Sequence, residues 1–402
     1  MNFIDIFAGC GGFSEGFKQN HNYNMLAAVE WEKPQVENLR NHLKNNYNMI
    51  DSDERVIRFD IQRTEELISG WENDEEYDSH VGLDAIIGGS NVDLIIGGPP
   101  CQAYSVAGRI RDENGMRNDY RNFLFESYMQ LVRHYKPNLF VFENVPGILS
   151  AKPDGETLVT DLIRNEIKNS GYEIVDDLKT YAQFDLSEYG VPQKRKRVII
   201  VGVRNGFINN IQHALQQFYL DTLPKYRENI RTVRDAIGDL PPIIPAELDY
   251  IRDGRKYSHI FDINISNHVP RLHNRRDINI FNILCEDIES GKYQYITSHA
   301  LMELYTRLTG RNSNIHKYHV LRWNQPSNTI PAHLYKDGLR HIHPDSSQSR
   351  SITVREAARL QTFPNHYNFI SSMGANYKMI GNAVPPLFAQ KLASALLEFI
   401  NN

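Results

Sequence analysis

Along the first half of the chain, short runs of β-branched and aromatic residues alternate with longer segments whose apolar positions recur every three to four residues. This alternation predicts an open α/β sheet wrapped by helices. Five strands are expected at 3–7, 25–29, 56–59, 92–96 and 139–142, with a sixth apolar run at 198–203. Residues 122–135 and 157–169 carry apolar positions at helical spacing. From 205 to about 342 the pattern loosens into scattered prolines, many Asn and His residues and weak periodicity, which predicts a second, loop-rich domain. Order returns at 353–360, a helix with Thr353 or Ser351 placed to cap it, and a last helix is expected at 386–399. The resulting division is a large domain at 1–204, completed by about 370–402, and a smaller one at 205–342. Residues 343–369 join the two.

Composition narrows the classes. The 402 residues are 41% hydrophobic and 23% charged, as in a soluble globular protein, and no apolar run is read as reaching the roughly 18 residues that cross a bilayer. Met1-Asn2-Phe3-Ile4-Asp5-Ile6 has no basic flank or cleavage pattern, so a cytoplasmic protein is expected. Three cysteines, Cys10, Cys101 and Cys285, make neither a disulfide framework nor a Cys-x-x-Cys zinc pair, and no metal site is expected. The net charge of −5 argues mildly against a nucleic-acid partner. Its distribution argues the other way: acidic residues crowd 51–84, whereas Lys194, Arg195, Lys196, Arg197, Arg271, Arg275, Arg276, Arg307, Arg311 and Lys317 follow residue 190. A basic face is compatible with the acidic total, although such clusters are more often ordinary solvated surface.

The candidate chemistry sits at the strand ends. Phe7-Ala8-Gly9-Cys10-Gly11-Gly12-Phe13 follows the first strand and opens a helix, and its glycines allow a tight turn and close backbone approach to a ligand. Glu30 closes the second strand and Asp60 the third, where carboxylates accept hydrogen bonds from ribose hydroxyls and an adenine amino group, or serve as ordinary turn residues. No Gly-Lys-Ser/Thr phosphate loop occurs, which disfavours a nucleoside triphosphatase and suits a cofactor without phosphate such as S-adenosylmethionine.

Asp93-Leu94-Ile95-Ile96-Gly97-Gly98-Pro99-Pro100-Cys101-Gln102 is a strand running into a stiff turn that presents one thiol. A free cysteine is usually a small buried hydrophobe, but a strand's C-terminal end in an open sheet is where active sites form. Among the methyl acceptors of DNA, the exocyclic amines of adenine and cytosine can attack a methyl sulfonium directly, whereas cytosine C5 needs a thiol. It is a poor nucleophile until a thiolate adds at C6 and pushes electron density onto C5. Addition at C6 also calls for a carboxyl group at N3, and Glu143 in Phe142-Glu143-Asn144-Val145-Pro146 ends the neighbouring apolar strand. In Gln193-Lys194-Arg195-Lys196-Arg197, alternate side chains put Arg195 and Arg197 on one side of the next strand. Guanidinium groups there suit cytosine O2 or a flanking phosphate, or simply a basic strand start.

With these motifs in this order, the sequence resembles the cytosine-C5 DNA methyltransferases of bacterial restriction-modification systems. The matching residues are Asp5-Ile6-Phe7-Ala8-Gly9-Cys10-Gly11-Gly12, Glu30-Trp31, Asp60-Ile61, Pro99-Pro100-Cys101-Gln102, Glu143-Asn144-Val145, Gln193-x-Arg195-x-Arg197, Arg355-Glu356 with Gln361-Thr362-Phe363-Pro364, and Gly381-Asn382-Ala383-Val384-Pro385. The resemblance spans nearly the whole chain. It implies an S-adenosylmethionine-dependent, Rossmann-like open twisted sheet with helices on both faces, plus an irregular target-recognition domain at 205–342. It implies Cys101 as nucleophile, Glu143 at N3 and the 4-amino group, Arg197 holding the cytosine and Arg195 ordering the catalytic loop. It assigns S-adenosylmethionine to Phe7, Gly9, Gly12, Glu30, Trp31, Asp60, Ile61, Pro100, Leu124, Asn382 and Val384. Residues 102–122, with Gly108, Arg109, Arg111 and Arg117, look like the loop that closes over DNA.

The partner implied is double-stranded DNA, with the target cytosine swung out of the stack, and a cognate restriction endonuclease. Arg271, Asn274, Arg275 and Arg276 are candidate base readers, because Arg reads guanine and Asn adenine in the major groove. A monomer is expected, since one chain supplies every catalytic part. The chain starts on the first strand and ends one helix after Asn382, which suggests a stand-alone bacterial modification enzyme. Two other readings stay open: an RNA cytosine-C5 methyltransferase on the same scaffold, and a DNA-binding relative without activity.

Overall fold

A computed structural model describes residues 1–99, 124–152, 155–262, 264–312, 317–336 and 338–401. They form two compact units, one of Met1–Gly190, Arg195–Asn229 and Ala383–Asn402, the other of Val191–Lys194 and Ile230–Asn382.

The first unit is built on one sheet. Its strands are β1 (Asn2–Ile6), β2 (Asn24–Glu30), β3 (Val56–Arg58), β6 (Leu94–Gly97), β7 (Leu139–Asn144), β8 (Tyr172–Glu173), β9 (Gln183–Asp185) and β10 (Lys196–Arg204). A separate hairpin, β4 (Trp71–Asp74) with β5 (Asp78–His80), lies between β3 and β6 in sequence. The order across the sheet is β3-β2-β1-β6-β7-β10-β8, with β9 also paired to β10. β1, β2, β3, β6 and β7 run parallel, and β10 returns antiparallel to β7. Such strands are covered on both faces, which is why β1, β6 and β7 read as nearly unbroken apolar runs rather than alternating ones.

Register brings the strand ends into line. Ile6 pairs with Val29 and Gly97, Val29 with Ile57, and Gly97 with Phe142. The residues that follow, Phe7, Glu30, Gly98 and Glu143, therefore share one edge of the sheet. The Tyr128 hydroxyl lies 3.0 Å from both the Ile95 and the Val141 carbonyl oxygens, bonding across β6 and β7 beneath that edge.

Two chain segments remote from 1–190 complete this unit. Residues 205–229, expected in the second domain, belong to the first. Tyr219 accepts from the Val201 amide and donates to the Ile199 carbonyl, both at 2.9 Å, and Phe218 packs edge-on against Phe399 at 5.2 Å. The closing helix Pro386–Asn401 lies against the helix Gly12–Lys18 at Gly16, where a Cβ would come within 2.4 Å of the Pro386 carbonyl oxygen. Contrary to the sequence reading, Met373–Asn401 is long and apolar enough for a membrane span by composition. It is broken between Asn382 and Pro386, and two-thirds of it, 67%, is buried, as core helices are.

The second unit holds more regular structure than its loose pattern predicts. Hairpin β11 (Ile244–Arg252) and β12 (Arg255–Ile260) turns at Asp253-Gly254, both at positive φ (49° and 72°), the geometry of a tight two-residue hairpin. The helices Arg275–Glu289 and Ser298–Thr309 enclose a core of Ile280, Phe281, Leu284, Cys285, Leu301, Leu304, Val320 and Ile342. Cys285 is structural: its buried thiol donates to the His343 carbonyl, and burial pushes its pKa up. Of the two capping candidates, Thr353 caps the helix Val354–Leu360, in a reciprocal box with Glu356.

Glu356 also takes a bidentate pair from buried Arg350, both contacts at 2.7 Å. In the same unit His259, His273, His341 and His343 are buried, and desolvation lowers their pKa values to about 4, 3, 3 and 3. Each is neutral in the folded chain and binds a proton on unfolding once the pH falls below the unfolded value near 6.5. The folded pKa lies below the unfolded one, so this stability is present above pH 6.5 and is lost on acidification toward pH 3. Up to about 2 kcal/mol per histidine should disappear between pH 6.5 and pH 5. Urea titrations of the full chain at those two pH values should show the midpoint falling; equal midpoints would refute it.

Candidate active site

The glycine turn after β1 is set by backbone conformation. Phe7 adopts φ 63°, rare for an aromatic residue, and Gly9 and Gly11 follow at 59° and 81°. Positive φ at three of five positions coils the chain so that the Gly9 amide points at Glu30. The Glu30 carboxylate accepts from the amides of Gly9 (2.8 Å), Trp31 (2.9 Å) and Glu32 (2.8 Å), tying the β1 turn to the β2 turn. Burial nonetheless raises its pKa. Below the turn, buried Asp5 accepts from the Ser14 hydroxyl at 2.5 Å, and desolvation pushes this carboxyl up to about 7. Gly12 is required sterically: a Cβ there would stand 2.3 Å from the Val384 carbonyl oxygen.

Asp60 lies beyond β3, where its carboxylate accepts from the Gln62 amide at 3.0 Å, and Ile61 beside it is buried. Trp31 is half exposed, at 49%. Leu124 is buried at the start of the helix Leu124–Tyr135. Of the last pair in the set, Val384 is buried in the first unit and Asn382 is an exposed residue ending the helix Met373–Asn382 of the second. Pro100 and Cys101 lie outside the described residues, as do 102–122 with Gly108, Arg109, Arg111 and Arg117.

The approach to Cys101 is described as far as Pro99. Gly97 fits only as glycine, a Cβ meeting the Ile6 carbonyl oxygen at 2.6 Å, and a Cβ on Gly98 would lie 3.0 Å from Glu143 Oε2. The Glu143 carboxylate thus stands against the backbone three residues before Cys101. Its other oxygen pairs with Arg197 Nε at 2.6 Å, both side chains nearly buried. The antiparallel pairing of β7 and β10, Val198 opposite Asn144, brings the two together. Arg195, two residues earlier, is fully buried and donates to the Ala383 carbonyl at 3.0 Å. Desolvation lowers its pKa, with Arg197 adding to the effect and Glu143 opposing it.

The edge therefore offers two chemically distinct stations. One is a glycine turn, with carboxylates at Glu30 and Asp60 and an exposed indole. The other is a partly buried carboxylate–guanidinium pair beside the strand that leads to the thiol. The four proposed base readers are engaged elsewhere. Arg271 binds the Leu334 and Tyr335 carbonyls, Asn274 caps the helix Arg275–Glu289, Arg275 bonds the Ala246 carbonyl and Asp249, and Arg276 pairs with Asp277. No cluster suited to a metal ion occurs among the described residues.

Comparison with known proteins places this edge in context. A family model described as C-5 cytosine-specific DNA methylase matches residues 1–398. The type II methyltransferase M.Bpa9945I of Bacillus paralicheniformis is 33% identical, over all of this chain and 99% of its own length. M.DdeI of Desulfomicrobium norvegicum, also a type II methyltransferase, is 32% identical over all of this chain and 90% of its own. The crystal structure of a prophage-encoded E. coli protein described as a DNA modification methyltransferase superposes with a TM-score of 0.61 at 25% identity, covering both chains fully.

Proposed function

The chain belongs to the C-5 cytosine-specific DNA methylase family and is a DNA cytosine methyltransferase; from that membership we propose that it methylates C5 of a cytosine swung out of double-stranded DNA, with S-adenosylmethionine as donor. The observation that carries the reading is the placement of Glu143, paired with Arg197 and lying against Gly98 on the edge that also carries the Glu30-bound glycine turn.

The residues at that turn fit the cofactor. Gly9 and Gly11 take the positive φ that the close turn needs, and Glu30 and Asp60 present acceptors suited to ribose hydroxyls and an adenine amine. Phe7, Gly9, Gly12, Glu30, Trp31, Asp60, Ile61, Pro100, Leu124, Asn382 and Val384 would hold it. When bound, it supplies an electrophilic methyl group on a sulfonium, which leaves as a neutral thioether. The Cys101 thiolate forms an Sγ–C6 bond while Glu143 hydrogen-bonds N3 and the 4-amino group, so that the electron pair displaced from the C5–C6 bond resides on C5. Arg197 fixes the Glu143 carboxylate and presents its remaining N–H groups to the base, and Arg195 anchors the strand start. Once C5 carries the methyl group, its proton passes to solvent, the C–H electron pair re-forms the C5–C6 double bond, and the Sγ–C6 bond breaks to return the Cys101 thiolate.

The family model and the type II relatives favour DNA over the RNA alternative. We further propose that it acts as a monomer, since one chain supplies every catalytic part, and that, as the names of its type II relatives suggest, it works in a bacterial cytoplasm and protects DNA from a cognate restriction endonuclease. Within the second unit, residues 230 to about 342 supply target recognition. Bisulfite sequencing of genomic DNA from cells expressing the protein tests the reading. Protected cytosines at one short recurring sequence are expected; methylated transfer RNA with unprotected DNA would overturn it.

A further inference from the structure

The β11–β12 hairpin of the second unit is anchored at its base and open at its end. At the base, the buried His259 ring meets the Gln348 carbonyl at 3.1 Å, and Arg275 donates to the Ala246 carbonyl at 2.5 Å and to Asp249 at 2.9 Å. Further along, the Tyr250 hydroxyl donates to the His259 carbonyl at 2.9 Å. The Tyr250 and Tyr257 rings lie 5.7 Å apart across the strands, with Phe261 5.1 Å from Tyr257. Beyond these rings the ladder has two more rungs before the Asp253-Gly254 turn: Ile251 opposite Lys256, and Arg252 opposite Arg255. Ile251, Arg255 and Lys256 are all exposed, the isoleucine at 76%.

The charge of the last rung is the telling feature. Two arginines stand opposite each other, an arrangement that costs a ladder stability. Of the acids nearby, Asp253 lies 3.9 Å from Arg252, while Asp249 is taken by Lys256 at 3.0 Å and by Arg275. The Arg255 side chain has no ion pair, hydrogen bond or ring contact among the described residues. Arg271, Arg275 and Arg276 of the same unit are, by contrast, held by carbonyl and carboxylate oxygens. A like-charged rung, exposed at the end of an anchored ribbon, suits an anionic partner, and Ile251 beside it suits an apolar one. The major groove of duplex DNA offers both. It is about 12 Å wide, admits a two-stranded ribbon, and exposes guanine acceptors and thymine methyl groups between its phosphates.

We propose that the end of the β11–β12 hairpin enters the major groove of the target site, with Arg255 reading a base edge there. This rests on the assignment of target recognition to the second unit. The Arg255 guanidinium is a fixed fork of donors with no protein acceptor to give up, so it can meet the two acceptors of a guanine without breaking a bond. Arg252, across the rung, brings a second positive charge toward the phosphates.

Bisulfite sequencing of DNA from cells expressing the full chain as wild type, Arg255→Ala or Arg255→Lys tests it. Arg255→Ala should spread methylation to sequences that differ from the wild-type site at one base position. On a duplex carrying the wild-type site its kcat/KM should fall about 5- to 100-fold, the span of one bidentate base contact. Its melting temperature should not fall, because a like charge leaves the rung. Arg255→Lys keeps the charge and loses the fork, so it should show the same relaxed pattern while the salt dependence of DNA binding stays as in the wild type. This second variant retains the aliphatic stem, so the comparison survives if the alanine variant folds poorly. Wild-type selectivity in both variants overturns the proposal, and so does a defect that Arg255→Lys repairs in full, which would mark a phosphate contact. Unmethylated DNA with the wild-type chain would instead overturn the functional reading itself, and this proposal with it.

Discussion

Replacing Cys101 by alanine is expected to lower methyl transfer by on the order of 10³-fold or more, because without a thiolate C5 has no route to nucleophilic character. The variant should still bind S-adenosylhomocysteine as the wild type does, since the Glu30-bound turn lies after different strands from the thiol. A second readout separates nucleophile from mere packing. With DNA carrying 5-fluorocytosine at the target, the wild-type chain should form a complex that survives denaturing electrophoresis, because fluorine at C5 blocks the final loss of a proton. Cys101→Ala should form none. Near-normal methylation by this variant would exclude covalent activation by Cys101. The structural support is local: Gly97 and Gly98 admit no side chain without contact with Ile6 and Glu143, so the chain leading to Cys101 is held against the carboxylate.

How much of this is legible in the sequence depends on how local each signal is. A parallel strand buried on both faces announces itself as an apolar run, and β1, β2, β3, β6, β7 and β10 all fall on the expected segments. The residues just past those runs, Phe7, Glu30 and Glu143, inherit their positions from the strands. β8 and β9, at two and three residues, are too short to carry any period. The β4–β5 hairpin is likewise short and rich in acidic residues, and what marks it is tertiary: Trp71 finds Phe59 across the chain.

The second unit reads weakly for a different reason. In Arg275–Glu289 the apolar positions Ile278, Phe281, Leu284, Cys285 and Ile288 follow helical spacing, but Asn279 and Asn282 interrupt them. Asn274 passes for a base reader by residue type, whereas its neighbourhood fits a cap: its side chain accepts from the amide three residues on, where an acidic Asp277 stands. Charge alone does not distinguish Arg271 and Arg275 bound to backbone carbonyls from arginines left for phosphate. The segment 205–229 falls on the wrong side of the expected boundary because the change of texture at residue 205 marks the end of β10, whereas the first unit continues through Tyr219 and Phe218.

The second large effect is expected at Glu143. Glutamine there keeps the shape and one acceptor for Arg197 but can neither carry the negative charge nor exchange a proton with N3. Methyl transfer should fall about 10²- to 10³-fold, the scale of a lost general acid–base partner. Both members of the Glu143–Arg197 pair are largely buried, so removing the charge leaves Arg197 less well compensated. A purely structural role would therefore show as a loss of stability that tracks the loss of rate. The distinction is measurable in single turnovers with cofactor and DNA both saturating. If Glu143 acts on the base, Glu143→Gln lowers the single-turnover rate and slows trapping by 5-fluorocytosine DNA, while the melting temperature and S-adenosylhomocysteine affinity stay near wild type. If it serves only to seat Arg197, Arg197→Gln should reproduce the full defect and Glu143→Gln should add nothing to it. The geometry favours the first outcome, because Arg197 engages one carboxylate oxygen while the other faces Gly98, on the strand that leads to the thiol.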